Sequence, residues 1–148
     1  MKVYLGADHR GYQLKERIKK ILSVLGYSTE DFGNDRLDPE DDYPDFAIKV
    51  GKKLSKNPKD RGILVCGSGV GVDIVANRFP FVRCGLSFSR QQVRLARRDD
   101  DINCLALASD FVSEDEIRGI VENFMETTFS GDDKYLRRIK KIDKIRND

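Results

Sequence analysis

The residues whose types could do chemistry fall into two short stretches. Asp8 and His9 follow the apolar run 2–7, and Cys66 opens the segment Cys66-Gly67-Ser68-Gly69-Val70-Gly71. His9 is the only histidine in 148 residues, so an all-histidine metal site and any reaction needing two imidazoles are excluded. The glycines of the second stretch let the backbone approach a ligand, and the amides that open the following helix point at any negative oxygen there. The spacing is not the dinucleotide fingerprint, and no Lys-Ser/Thr follows to make a P-loop. The same loop is equally a tight strand-to-helix turn. Cys66 stands just before the helix N-terminus, whose positive end favours a thiolate over a thiol. A thiolate there serves as a nucleophile or as a general base. As a base toward carbon it needs no triad. It needs a substrate proton acidified by a carbonyl, and an electrophilic cradle for the enediolate oxygen. Ser68 and the loop amides fit that cradle. Asp8 and His9 could hold hydroxyls or an anionic group, although Asp8 is equally placed to cap the next helix and His9 to serve as a cap or surface residue. Cys84 and Cys104 read as small buried core residues.

The elements that must position these residues alternate. The patterning predicts strands at 2–7, 27–32, 63–66, 81–88 and 102–108. Leu14, Ile18, Ile21, Leu22 and Leu25 follow helical spacing, with Lys15, Glu16, Lys19 and Lys20 on the opposite, polar face. Further helices are expected at about 44–54, from the glycine loop to about Asn77, and over 89–98. Another follows a capping box at Ser113-Glu114-Asp115-Glu116, and the last is the basic tail 134–146 with Ile139, Ile142 and Ile145 as its apolar positions. Residues 30–45 hold eight Asp/Glu and one Arg and read as an acidic surface loop. The expected fold is α/β: a single domain, 1–148, with a three-layer, doubly wound, five-stranded parallel sheet in Rossmann-like or flavodoxin-like order and a C-terminal helical tail. In that order strands one and three are neighbours, and ligands bind at their carboxyl ends. The topology therefore brings Asp8, His9, Cys66 and the glycine loop into one cleft.

Composition narrows the class. The charges, 27 Lys+Arg against 25 Asp+Glu, nearly cancel to +2, which argues against a nucleic-acid binder. The basic helix 90–98 and the basic tail have acidic neighbours, and neither shows a groove-binding motif. Three scattered cysteines without Cys-x-x-Cys point to reduced thiols and a cytoplasmic location. The start MKVYLGADHRG is too polar for a signal peptide, and no apolar run is long enough to span a membrane.

The chain resembles the ribose-5-phosphate isomerase B family, which also holds the two subunits of galactose-6-phosphate isomerase. The resemblance rests on Gly6-Ala7-Asp8-His9-Arg10-Gly11-Tyr12 with Leu14-Lys15, on Asp42-Tyr43-Pro44-Asp45-Phe46, and on Gly62-Ile63-Leu64-Val65-Cys66-Gly67-Ser68-Gly69-Val70-Gly71. Ala76-Asn77-Arg78 and Phe129-Ser130-Gly131 with Arg138-Ile139 extend it almost end to end. It implies interconversion of aldose and ketose phosphates, most simply ribose 5-phosphate and ribulose 5-phosphate, through a cis-enediolate and without metal or organic cofactor. On this resemblance Cys66 carries the proton between C1 and C2, and Ser68 with the amides of Gly67, Gly69 and Gly71 stabilises the enediolate. Asp8, His9 and Tyr43 line the sugar site, and Asn77 supports it. Some members use a Glu nine residues beyond the cysteine; Val75 stands there, which places this chain with the cysteine users. The resemblance also implies a homodimer or tetramer with its sites at the subunit interface.

The departures from the family pattern share one sign. Asp99 and Asp100 stand where His-Asn is usual, and the missing His opens the furanose ring. Asp110 replaces a phosphate-holding Arg, and Asp132-Asp133-Lys134-Tyr135 replaces Gly-Gly-Arg-His. Lys134 and Arg138 remain as phosphate-binding cations, with Arg137 as a register alternative and Arg97 or Arg98 of a neighbouring subunit in reserve. A unit charge pair about 5 Å apart at an effective dielectric near 20 is worth roughly 3 kcal/mol, so the exchange bears directly on phosphate affinity. Asp99 is expected to take over ring opening, as an acid if burial raises its pKa. The same changes leave open an unphosphorylated or different sugar, or a non-catalytic subunit of the same fold.

Overall fold

Each predicted strand and helix is present, and the reason lies in burial. The protein is described by a computed structural model over residues 1–145. In chain order the elements are β1 (Val3–Ala7), α1 (Tyr12–Val24), β2 (Thr29–Asp31), α2 (Tyr43–Lys56), β3 (Arg61–Cys66) and α3 (Val70–Ala76). They continue with β4 (Cys84–Leu86), α4 (Arg90–Asp100), β5 (Cys104–Ala108), α5 (Glu114–Glu126) and α6 (Asp133–Lys144). The strands form one parallel sheet in the order β2-β1-β3-β5-β4. Every residue of β1 and β5 is buried, as continuous apolar runs demand when helices cover both faces.

The half β2-β1-β3 matches the flavodoxin-like order, with the change of winding direction between β1 and β3. The last two strands are exchanged relative to that order. β5, Cys-Leu-Ala-Leu-Ala, is apolar on both faces and belongs inside the sheet. β4 is three residues long and only partly buried, so it takes the edge. The expected strand 81–88 shrinks for the same reason. Phe81 is left in a positive-φ turn (φ 62°) and half exposed.

Strand order decides which face each helix covers. A right-handed crossover that moves one way along the sheet puts its helix on one face, and a move the other way puts it on the opposite face. The steps β1 to β2 and β4 to β5 run one way; β2 to β3 and β3 to β4 run the other. Accordingly Leu14, Ile18 and Leu22 of α1 share a core with Val93 of α4 and with Ile117, Ile120 and Phe124 of α5. Ala47, Val50 and Leu54 of α2 and Val72 and Ala76 of α3 build the other core.

Several local expectations change. Lys15, placed on the polar face of α1, is 1% exposed and donates from Nζ to Asp31 (2.6 Å) and to the Asn34 carbonyl (2.9 Å). Ser113 is the N-cap of α5 but makes no side-chain cap bond. Glu116 turns away to accept from the Arg90 backbone N–H (2.8 Å) and its Nε, so the capping box does not close. The acidic segment 30–45 is not all loop, since it holds the end of β2 and the first turn of α2. In the tail only Ile139 is buried; Ile142 and Ile145 are exposed, and Arg146 lies outside the described residues. Among the described residues no helix is long and apolar enough to cross a membrane.

Leu64, fully buried on the α2/α3 face, tests this packing. Leu64→Ala is expected to lower unfolding free energy by about 2–5 kcal/mol in urea titrations. Val24→Ala, at a position 78% exposed, is expected to change it by no more than about 0.5 kcal/mol.

Candidate active site

β1 and β3 are hydrogen-bonded neighbours, with Ala7 opposite Val65, so the residues that follow each strand emerge side by side. On the β3 side the chain turns at once into α3. Gly69 is the N-cap of α3 in a left-handed conformation (φ 74°). A Cβ there would also lie 2.5 Å from the Leu86 side chain and 3.0 Å from the Leu107 backbone, so only glycine fits. This turn aims the Gly69 N–H at Cys66 Sγ (3.1 Å), and Cys66, a residue 4% exposed, has its sulfur fixed at the helix start. Ser68 is exposed beside it, with its Oγ 3.3 Å from the Val70 N–H. The Tyr43 ring packs on the loop from α2, where a Cβ on Gly71 would meet its Cζ at 2.5 Å.

On the β1 side Asp8 is buried and accepts the Gly11 N–H at 3.0 Å. This bond closes the turn 8–11 ahead of α1; the N-cap of the helix is Gly11, so Asp8 is not its cap. His9 is better exposed. Its Nδ1 lies 2.8 Å from Asp41 Oδ1, which also accepts the His9 backbone N–H at 2.9 Å. The structure thus gathers Asp8, His9, Tyr43, Cys66, Gly67, Ser68, Gly69 and Gly71 at one end of the sheet.

The other candidates are elsewhere. Asn77 is the C-cap of α3, and its amide clamps the Cys84 backbone in both directions, donating to the carbonyl (3.0 Å) and accepting the N–H (2.9 Å). Asp99 and Asp100 are the last residues of α4 rather than a loop after it. α4 runs antiparallel to the strands and feeds β5, so these carboxylates lie at the amino edge of the sheet. The length of a five-residue strand, ~16 Å, separates that edge from Cys66. Lys134 and Arg138 lie on α6 around the Tyr135 ring, at 4.6 and 5.6 Å from its centre, against the same end of α4.

The electrostatics revise the expectations about the acidic replacements. Asp110 is not an uncompensated carboxylate. It pairs with the Arg10 guanidinium, which lies directly over Gly67, and its backbone N–H donates to the Gly67 carbonyl (3.1 Å). Asp132 and Asp133 are the N-cap and first residue of α6, where the helix dipole favours negative charge. Asp99 receives Arg98 Nε (2.6 Å) and Nη2 (3.0 Å), and these bonds hold its carboxyl below the usual aspartate range. That direction is opposite to what a ring-opening acid requires. Arg97 is 2% exposed and tied to Asp101 (2.7 Å) and the Ile102 carbonyl, so it is not a free cation for a neighbouring subunit. Cys104 is fully buried as expected, whereas Cys84, on the edge strand, is only partly buried and lines a cavity beside it; desolvation pushes its thiol well above the usual range.

The sequence patterning does not single out Arg10, Asp41 or Asn34. Arg10 stands inside the quoted motif, and a cation after strand one opposite a carboxylate after strand five was its available signal. Asp41 is one of eight carboxylates in a stretch without periodicity, and nothing local distinguishes it from its neighbours.

A cavity of about 880 Å³ lies away from this cleft, between β4, α4 and α6. Phe81, Leu95, Ile142, Asp99 and Asp100 are among its lining residues, and none of the Cys66 loop is. Among the described residues no cluster of three or more His, Cys, Asp or Glu has the arrangement of a metal site.

Residues 3–142 match the profile of a family described as Ribose/Galactose Isomerase. A Mycoplasma genitalium protein named "Probable ribose-5-phosphate isomerase B" is 41% identical over 95% of this chain and 92% of its own. Ribose-5-phosphate isomerase B of Mycobacterium tuberculosis is 39% identical over 94% and 86%, respectively. The crystal structure of Mycoplasma genitalium ribose-5-phosphate isomerase B with bound ribulose 5-phosphate superposes with a TM-score of 0.95. It shares 38% identity and covers 99% of this chain and 97% of that one.

The Arg98–Asp99 pair is open to direct measurement. Carbon-13 carboxyl NMR is expected to find Asp99 titrating below the ordinary aspartate value, and Arg98→Ala to return it upward. The sign follows from the lowered value: the pairing contributes at higher pH and is lost as pH falls through it.

Proposed function

The chain belongs to the ribose/galactose isomerase family, and we propose that it interconverts ribose 5-phosphate and ribulose 5-phosphate with Cys66 as the proton carrier. The observation that carries this reading is the placement of Cys66. Its sulfur sits at the start of α3, held by the Gly69 N–H, beside an exposed Ser68 and at the end of the strand that neighbours β1. The chemistry follows from that placement. With the sugar in its open form, the Cys66 thiolate takes the proton from C2. The electron pair left behind forms the C1–C2 double bond, and the C1 carbonyl oxygen becomes an enediolate oxyanion. Ser68 and the amides of Gly67 and Gly71 serve that oxygen, where their dipoles stabilise the charge most as it develops; the Gly69 N–H, engaged by the sulfur, does not. The proton returns to C1 while the O2 proton passes to O1, so that C2=O forms, O1 becomes a hydroxyl and the ketose results. Asp8, His9 and Tyr43 line the sugar.

The phosphate and ring-opening groups come from a second copy of the chain on this reading. Lys134, Arg138, Asp99 and Asp100 lie at the opposite edge of the sheet from Cys66, so one subunit does not close the site alone. The apolar groove beside them leaves Phe81, Leu95 and Ile142 more than 40% exposed, as a surface that meets another subunit does. With its carboxyl held below the usual range by Arg98, Asp99 does not serve as the ring-opening acid; in the neighbouring cleft it offers a hydrogen-bond acceptor to the anomeric hydroxyl. The Arg10–Asp110 pair compensates the carboxylate that replaces the family's Arg, so Asp110 by itself does not stand against a phosphorylated sugar. Three unpaired thiols agree with a cytoplasmic location.

A coupled assay of ribose 5-phosphate conversion is the test. Cys66→Ala is expected to lower kcat by about 10²–10⁴-fold, and undiminished turnover would remove the base. Arg138→Ala should raise KM for the phosphate ester more than it lowers kcat. Mixing denatured Cys66→Ala and Arg138→Ala chains and refolding them together should restore part of the lost activity if sites are shared between subunits. No recovery means that each subunit supplies its own phosphate cations.

A further inference from the structure

A line of polar contacts runs behind His9, and the proposed proton transfer uses none of its members. Asp41 Oδ1 meets both the His9 backbone N–H (2.9 Å) and Nδ1 (2.8 Å). Its second oxygen accepts from Asn34 Nδ2 at 2.7 Å. The Asn34 carbonyl accepts from Lys15 Nζ at 2.9 Å, and Lys15 is anchored in turn on Asp31 at 2.6 Å. The line is enclosed: the Lys15 side chain is 1% exposed and that of Asp41 is 6%, whereas the His9 side chain is 30% exposed. Three separate elements, β1, α1 and the connection from β2 to α2, are thus tied together at the nitrogen of one imidazole.

The geometry assigns the ring nitrogens. An ionised carboxyl group can only accept, so the hydrogen between His9 and Asp41 belongs to Nδ1. Nδ1 carries it in both charge states, and Nε2 is the nitrogen whose proton comes and goes. We propose that Asp41 is a positioning residue of the isomerase: it holds His9 by Nδ1 and by the backbone so that Nε2 is the atom offered to the sugar phosphate, with Asn34 and Lys15 fixing Asp41 in place. The proposal rests on the reading above that His9 lines the sugar site. Asp41 does not touch the substrate; it acts through the imidazole, as the carboxylate partners of functional histidines do.

The charges around His9 set the direction of its titration. Asp41 on the connecting loop raises its pKa through the hydrogen bond, and Asp8 raises it further, whereas partial burial and Arg10 oppose. The cation with a proton on Nε2 therefore survives to higher pH than for a free histidine. A substrate contact that needs this Nε2–H is present below the raised value and is lost as pH rises through it.

Because the chain has a single histidine, every imidazole signal in a long-range proton–nitrogen NMR spectrum belongs to His9. In the unaltered protein at a pH above its titration, Nδ1 is expected to be protonated and Nε2 bare. A neutral ring with its proton on Nε2 overturns the proposal without any variant. Asp41→Asn is expected to move the His9 titration down. It should also displace the high-pH limb of kcat/KM the same way and lower kcat/KM at neutral pH about tenfold, mostly through KM. Unchanged titration and pH profile in Asp41→Asn, with His9→Ala impaired, defeat the positioning role alone. Wild-type turnover by His9→Ala removes His9 from the sugar site and takes the proposal with it.

Discussion

Burial of β5 on both faces is the constraint from which the rest of the molecule follows. Cys104, Leu105, Ala106, Leu107 and Ala108 have no measurable exposure, so this strand cannot lie at an edge. It pairs with β3 over five positions and pushes the short β4 outward. The step from β4 back to β5 then runs against the step from β3 to β4. Right-handed crossover places α4 with α1 and α5 rather than with α2 and α3. One consequence reaches the active site: the residues after β5 become the neighbours of the Cys66 loop, so that Ser109 and Asp110 bond to the Cys66 and Gly67 carbonyls. The end of α4, which runs antiparallel to the strands, lies at the far edge of the sheet, and Asp99, Asp100 and the start of α6 are there with it.

The near-neutral composition hides a set of local pairings with separate purposes. Arg10 and Asp110 meet above Gly67 and brace the loop that holds the cysteine. Arg98 and Asp99 form an exposed pair at the end of α4. Lys15 and Asp31 pair inside the protein, where a buried cation without its partner would be costly. Arg90, Arg97 and Arg98 of the basic helix are all engaged by nearby carboxylates, which leaves that helix little resemblance to a nucleic-acid-binding surface. Acidic replacements that look hostile to a phosphate in one dimension are thus mostly accounted for by neighbours in three.

The parts legible in the sequence are those governed by local rules. The continuous apolar run at 63–66 marks a strand covered on both faces, because only a strand buried on both sides dispenses with polar residues. Leu14, Ile18 and Leu22 mark the inner face of α1 by spacing alone. Cys66 could be placed at the start of a helix in advance because a strand-to-helix turn through a glycine loop is set within a few residues. Lys15 defeats the same reasoning. Its spacing puts it near the edge of the polar face, and only the arrival of Asp31 and Asn34 makes its burial favourable. Ser113 and Glu116 defeat it too, since Arg90, 26 residues away from Glu116, offers the carboxylate a better partner than the local backbone.

By itself, then, the sequence determined the α/β class, the switch between β1 and β3, and the meeting of Asp8, His9 and the Cys66 loop at one end of the sheet. Each of these depends on hydrophobic period, turn chemistry and the handedness of crossovers, which are properties of contiguous residues. Only the tertiary structure decided that β5 and β4 exchange places, that Arg10 answers Asp110, and that Asp41 holds the lone histidine. It also decided that Asp99 and Lys134 stand apart from the cysteine. Those outcomes depend on which of several equivalent charges and apolar surfaces come within a few ångströms of each other. That is set by how whole elements pack, and no spacing along the chain encodes it.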